Sequence, residues 1–197
     1  MVPVRLLRTL APLALVAGLL AACGGGSSSS PSADSGSSST IVGATTGFEV
    51  RTVFARYAPG VPFGPQIPQT LVQLMSSQKC PMRPQIVEAD YLMECDAGQT
   101  VYLLQNPIVT GSVASATPKQ IGHKKIWYVQ VALDSSVASK LDAQLKSMIG
   151  EQLAFSYDGA VLTSIAIDGS FHPDRFAITG NYDKASATKL AHELASS

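Results

Sequence analysis

Leu153-Ala154-Phe155-Ser156-Tyr157-Asp158-Gly159-Ala160-Val161 is the stretch on which the fold turns. Leu153, Phe155 and Tyr157 alternate with small residues, the period of a β-strand with one apolar face. Asp158-Gly159 is the dipeptide of a two-residue hairpin turn, so an apolar return strand is expected over residues 160–167. Beyond a polar loop, 168–175, a further strand is expected over 176–182. Asp183 is then placed to cap a last helix whose apolar stripe is Ala187, Leu190, Ala191 and Leu194.

Upstream of the hairpin, Trp127, Val129, Val131 and Leu133 fall on one face of a strand. Asp134, Ser135 and Ser136 offer caps for a helix carrying Val137, Leu141, Leu145, Met148 and Ile149, which Gly150 ends. Thr100-Val101-Tyr102-Leu103-Leu104 is a short apolar strand. From residue 100 the expected order is β-β-α-β-β-β-α. That is an α+β class: a mainly antiparallel sheet with two helices packed on one face. Residues 41–99 form a less regular approach to it. Phe48-Glu49-Val50-Arg51-Thr52-Val53-Phe54 alternates as a strand, and Pro59, Pro62, Pro65 and Pro68 follow at three-residue intervals as an extended strap. Residues 69–77 are expected as a short helix.

The N-terminus carries a different message. Arg5 and Arg8 precede an uncharged apolar run over 9–20, followed by Leu20-Ala21-Ala22-Cys23. This is the pattern of a secretory signal, residues 1–22, too short to span a bilayer as a helix. Arg5 and Arg8 are not adjacent, so the general export route is expected. Leu-Ala-Ala-Cys resembles the bacterial lipobox, which implies lipidation of Cys23 and a membrane anchor made through that lipid. Residues 23–40 are almost entirely Gly and Ser, too polar to offset their ordering entropy, and are expected as a disordered tether. The expected location is the outer face of the cytoplasmic membrane.

The chain holds 14 basic and 14 acidic residues; losing Arg5 and Arg8 leaves 12 against 14, a formal charge of −2. No basic patch points to nucleic acid as a partner. Of three cysteines, lipidation of Cys23 leaves Cys80 and Cys95 as a pair in an oxidising compartment, and a disulfide is expected. Two cysteines alone make only half a zinc site, and no metal or cofactor is expected.

Catalytic constellations are not evident. His123 lies beside Lys124 and Lys125, His192 lies on the exposed side of the last helix, and His172 with Asp174 reads as a solvated turn. Glu88, Asp90, Glu94 and Asp96 form an acidic run without the glycine-punctuated spacing of a calcium loop, and read as a solvated surface around the cysteine pair. No catalytic residue is assigned, and the chain is expected not to be an enzyme.

The segment 153–161 resembles the head of the first large periplasmic domain of SecD, a subunit of the SecDF accessory complex of the Sec translocase. Phe176-Ala177-Ile178-Thr179-Gly180-Asn181-Tyr182 is similar to the Gln-Ile-Thr-Gly-Asn-Phe of that family, and the final helix follows at once in both. Cys95-Asp96-Ala97-Gly98-Gln99-Thr100-Val101-Tyr102-Leu103-Leu104 is similar to the approach to the head in actinobacterial SecD, and Arg51-Thr52-Val53 to its Arg-Pro-Val. Departures are Ser164-Ile165 where the family has Ala-Pro, and Pro173-Asp174 where it has Gly-Gly. The six transmembrane helices and the intramembrane carboxylate of SecD have no counterpart here. The resemblance implies a SecDF P1-head-like domain over 100–197, standing alone on a lipid tether. It also implies a non-enzymatic binding module whose partners are exported polypeptides or Sec accessory components. The alternative is a small-molecule or lipid-binding envelope lipoprotein.

Overall fold

A computed structural model describes residues 43, 46–61, 67–87, 91–122 and 125–196, all within the unit Ser38–Ser197. The expected signal peptide, Cys23 and the Gly/Ser tether lie outside the described residues, as do Pro62, Pro65, Glu88, Asp90, His123 and Lys124.

The elements run β1 (Phe48–Tyr57), α1 (Gln69–Ser77), β2 (Gln85–Val87), β3 (Tyr91–Cys95), β4 (Val101–Gly111), β5 (Val113–Gln120), β6 (Trp127–Leu133), α2 (Ser135–Leu145), β7 (Gln152–Tyr157), β8 (Ala160–Ala166), β9 (Phe176–Tyr182) and α3 (Lys184–Ala195). A 3-10 turn, Lys146–Met148, follows α2. The α+β, mainly antiparallel class holds, with more elements than the sequence suggested. The described residues form two sheets: six strands ordered β2-β3-β4-β1-β7-β8, and three ordered β5-β6-β9. Strand β1 lies between β4 and β7, so the six-stranded sheet draws strands from both sides of residue 100.

The larger sheet curls on itself. Strands β3 and β7 are three positions apart, which in a flat sheet is about 14 Å at the usual strand spacing. Yet Ser156 of β7 donates a hydrogen bond to Glu94 of β3 at 2.8 Å. At the end of β3, Asp96 makes an isolated parallel bridge to Val161 of β8, four positions away. The concave face is thereby enclosed around Leu92, Tyr102, Leu104, Ala154 and Val161.

Helices cover the outer face in two places. Leu71 and Met75, one turn apart on α1, pack on Ala55, Met93, Cys95, Val101 and Leu103. The other outer region, Phe48 and Val50 of β1 with Leu153 and Phe155 of β7, meets the three-stranded sheet, α2 and α3 in one large apolar core. All four stripe residues of α3 are buried there. Asp183 caps α3 through a reciprocal pair, its carboxylate accepting from Ser186 N–H at 2.8 Å while Ser186 Oγ accepts from Asp183 N–H at 3.0 Å. The hairpin turn is as expected, with φ of 49° at Asp158 and 76° at Gly159.

Candidate functional site

Three regions gather buried polar groups, polar clefts and exposed apolar side chains, and the first lies inside the curled sheet. Glu49 and Arg51 alternate with Phe48 and Val50 on β1, so they point into the concave face. Arg51 is fully buried, its Nε donating to Glu49 at 2.6 Å, its Nη1 to the Gln105 carbonyl at 3.0 Å and its Nη2 to the Gly43 carbonyl at 3.3 Å. Glu94 is also fully buried, not solvated as its place in the acidic run suggested. The run is interrupted because Met93 and Cys95 face α1, which forces Glu94 into the opposite, enclosed side of the strand. Burial raises its carboxyl above the ordinary 4.5; the Ser156 hydrogen bond and the Arg51 charge act against that rise, while Glu49 adds to it. Sequence reasoning overlooked this cluster. Its one local signal is the opposite-charge pair Glu49 and Arg51 at i and i+2, on one face of a strand whose other face is apolar.

The second region is a cleft of about 360 Å³ between the turn after β3 and the outer edge of β9, bounded by Asp96, Gly98, Leu162, Thr179, Gly180 and Tyr182. It brings together two motifs singled out in the sequence, Cys95-Asp96-Ala97-Gly98 and Thr179-Gly180-Asn181-Tyr182. Asp96 is held by Thr100 N–H at 2.8 Å and by the Tyr102 hydroxyl at 3.0 Å. Burial, with a contribution from the Asp96 charge, raises the Tyr182 hydroxyl above its ordinary value, so this carboxylate is felt across the cleft. Burial raises Tyr102 likewise, opposed by its Ser164 contact. Ser164 also accepts from Gln152 Nε2 at 3.1 Å. Opposite Trp127–Tyr128 the β9 register skips Gly180 and Asn181, a bulge of the kind a glycine within a strand permits. A Cβ on Gly180 would come within 2.8 Å of the Tyr182 ring.

The third region is the loop 168–175 and its neighbour Ile149. Asp168 accepts from Ser170 N–H at 2.9 Å and Ser170 Oγ at 2.7 Å, an Asx turn that lowers its carboxyl below the usual range. Pro173 is buried, and the Phe171 ring packs on Phe155 at 5.7 Å and Phe176 at 5.9 Å. The loop is therefore pinned to the core at two points. Beside it lies a cleft of about 220 Å³ lined by Leu145, Lys146, Ile149, Ile167, Phe171 and His172. Ile149 is 63% exposed, the most exposed large apolar side chain of the C-terminal half.

Of the expected site residues, Cys80 and Cys95 are joined in a disulfide with Cα atoms 5.8 Å apart. His172 and Asp174 are both exposed, as is His192 on α3. Among the described residues no group of three His, Cys, Asp or Glu side chains could hold a metal ion, and no helix is long and apolar enough to cross a membrane.

The model of the family described as SecDF, P1 head subdomain, matches residues 85–197, more than half of the chain. Two solved structures are similar to it. One, a crystal structure of SecDF in super-membrane-facing form, is 20% identical with a TM-score of 0.48, covering 76% of this chain and 18% of that one. The other, a structure of a membrane component SecDF that enhances protein export, is 20% identical with a TM-score of 0.47, covering 76% of this chain and 61% of that one. The chain thus spans less than two thirds of either. No curated protein matches it. On the family match over residues 85–197, the chain belongs to the SecDF P1 head subdomain family.

Proposed function

We propose that this protein is a lipid-anchored, non-enzymatic binding module of the cell envelope whose head contacts exported polypeptides or Sec accessory components. The observation that carries the reading is the family match itself, which spans every element from β2 to α3. The contact surface is the loop 168–175 together with β9, into which it leads. Two features support that choice. Ile149 and the cleft beside Phe171 offer apolar surface to a side chain of an unfolded segment. The outer edge of β9 has no strand partner among the described residues, so its backbone groups suit an extended chain.

The anchor belongs to the same reading. A head with no membrane-crossing helix among its described residues needs something to hold it near the export machinery, and lipidation of Cys23 supplies this with the Gly/Ser tether as spacer. A photo-crosslinking residue at Gly169 or Ile149, expressed in the full chain in cells, is expected to capture Sec components or unfolded exported chains. Capture of neither, from either position, overturns the reading. A clickable fatty acid is expected to label the wild type and not Cys23→Ser; equal labelling of both removes the anchor.

A further inference from the structure

The enclosed face of the six-stranded sheet holds a buried carboxylate that is only half hydrogen-bonded. Glu94 on β3 is fully buried, with Oε2 accepting from Ser156 at 2.8 Å and Oε1 without a hydrogen-bond partner among the described residues. Facing it are Glu49 and Arg51 from β1, Tyr102 from β4 (its register partner), Ala154 and Ser156 from β7, and Val161 from β8. Among the described residues Arg51 is the cation whose charge reaches it, and that guanidinium is also bonded to Glu49 and to two backbone carbonyls. A fully buried carboxylate whose second oxygen lacks a partner among the described residues takes up a proton more readily than it stays charged.

We propose that Glu94 is a proton-binding site of the head, holding its proton in the folded domain at pH values where an ordinary glutamate has lost it, and so making the closed sheet sensitive to external pH. The acid can hydrogen-bond with Ser156 across the sheet, which joins β3 to β7 at the place where the curl closes. Loss of the proton leaves a charge at that join with one oxygen unpaired.

The sign follows from linkage. Between the pKa of the unfolded chain, near 4.5, and the higher value in the fold, the native state binds more protons than the unfolded one. Stability from this group is therefore complete below about pH 4.5 and falls as pH rises through the folded value. Urea unfolding of the full chain in detergent, from about pH 4.5 to 8, is expected to show the midpoint of Glu94→Gln pulling above that of wild type as pH rises. The two midpoints converge at the acid end. A difference that does not change with pH, or a Glu94→Gln midpoint below wild type near pH 8, overturns the proposal.

Two measurements keep the test open if Glu94→Gln fails to fold. Ser156→Ala removes a bond that favours the ionised form, so the fall in stability should move to higher pH; an unmoved or lowered window counts against the site. Infrared spectra of the wild type should keep a protonated carboxylic-acid carbonyl band above pH 5, and its absence there overturns the proposal outright.

Discussion

On one side of β1, Phe48 and Val50 sit in an apolar core shared with β7, the three-stranded sheet, α2 and α3. On the other side, Glu49 and Arg51 sit inside the curl of the six-stranded sheet with Glu94 and Ser156. Both sides are buried, yet they are stabilised differently. The apolar side gains from area removed from water and from ring contacts such as Phe155–Phe176 at 4.5 Å. The charged side gains little from desolvating ions and depends on every ion keeping its partners. The apolar core therefore supplies the stability of the head, and the charged interior fixes how its strands are arranged around the closure.

Arg51→Met should be the most damaging single change, because it takes away the guanidinium that is bonded to Glu49 and whose charge acts on Glu94. The expected loss is about 5 kcal/mol, the upper end for removing one partner of a buried ion pair. Chemical denaturation of the full chain measures it. The contrast sharpens if Glu49→Leu and Glu94→Leu are added to Arg51→Met, since the triple variant should recover at least half of that loss. A triple variant as unstable as the single one would mean that Arg51 acts by filling space.

On the apolar side Phe155→Ala should cost about 4 kcal/mol, through lost burial and the cavity left among Phe48, Phe171 and Phe176. No pH dependence should accompany it, in contrast to changes around Glu94. Next in size is the disulfide. Cys80 lies 15 residues before Cys95 and ties the segment after α1 to β3, so Cys80→Ala with Cys95→Ala should cost about 3 kcal/mol by loop-closure entropy. The loss should concentrate in α1 and β2, where hydrogen exchange will quicken before it does in α3.

The elements of the apolar side are those that the sequence displayed most openly. Helix α3 keeps a clean apolar stripe behind a capping aspartate, and the stretch 153–161 carries its turn within it. The charged side was hidden by the same rule that revealed the other. Alternation marks a strand only when one face is wet, and β3, Tyr91-Leu92-Met93-Glu94-Cys95, is buried on both. Strand β5 was hidden for the opposite reason: in Val113–Gln120 only Val113 is buried, and Pro118 is tolerated because the strand is an edge. The cleft beside β9 combines two motifs that were visible separately. Their meeting depends on the Asp96–Val161 bridge, a contact between residues 65 apart that no local pattern encodes.

The smallest effect tests the link between the two regions. Tyr157 ends β7 and begins the hairpin turn, and its hydroxyl donates to the Glu193 carbonyl of α3 at 3.1 Å. This ties the curled sheet to the helix that packs across the smaller one. Tyr157→Phe keeps the half-buried ring and removes only that bond, so the loss should be about 1 kcal/mol. If the two regions unfold as one unit, thermal unfolding will keep a single transition shifted slightly down. If the bond is what couples them, Tyr157→Phe will broaden or split that transition while Phe155→Ala, for all its larger cost, leaves it sharp.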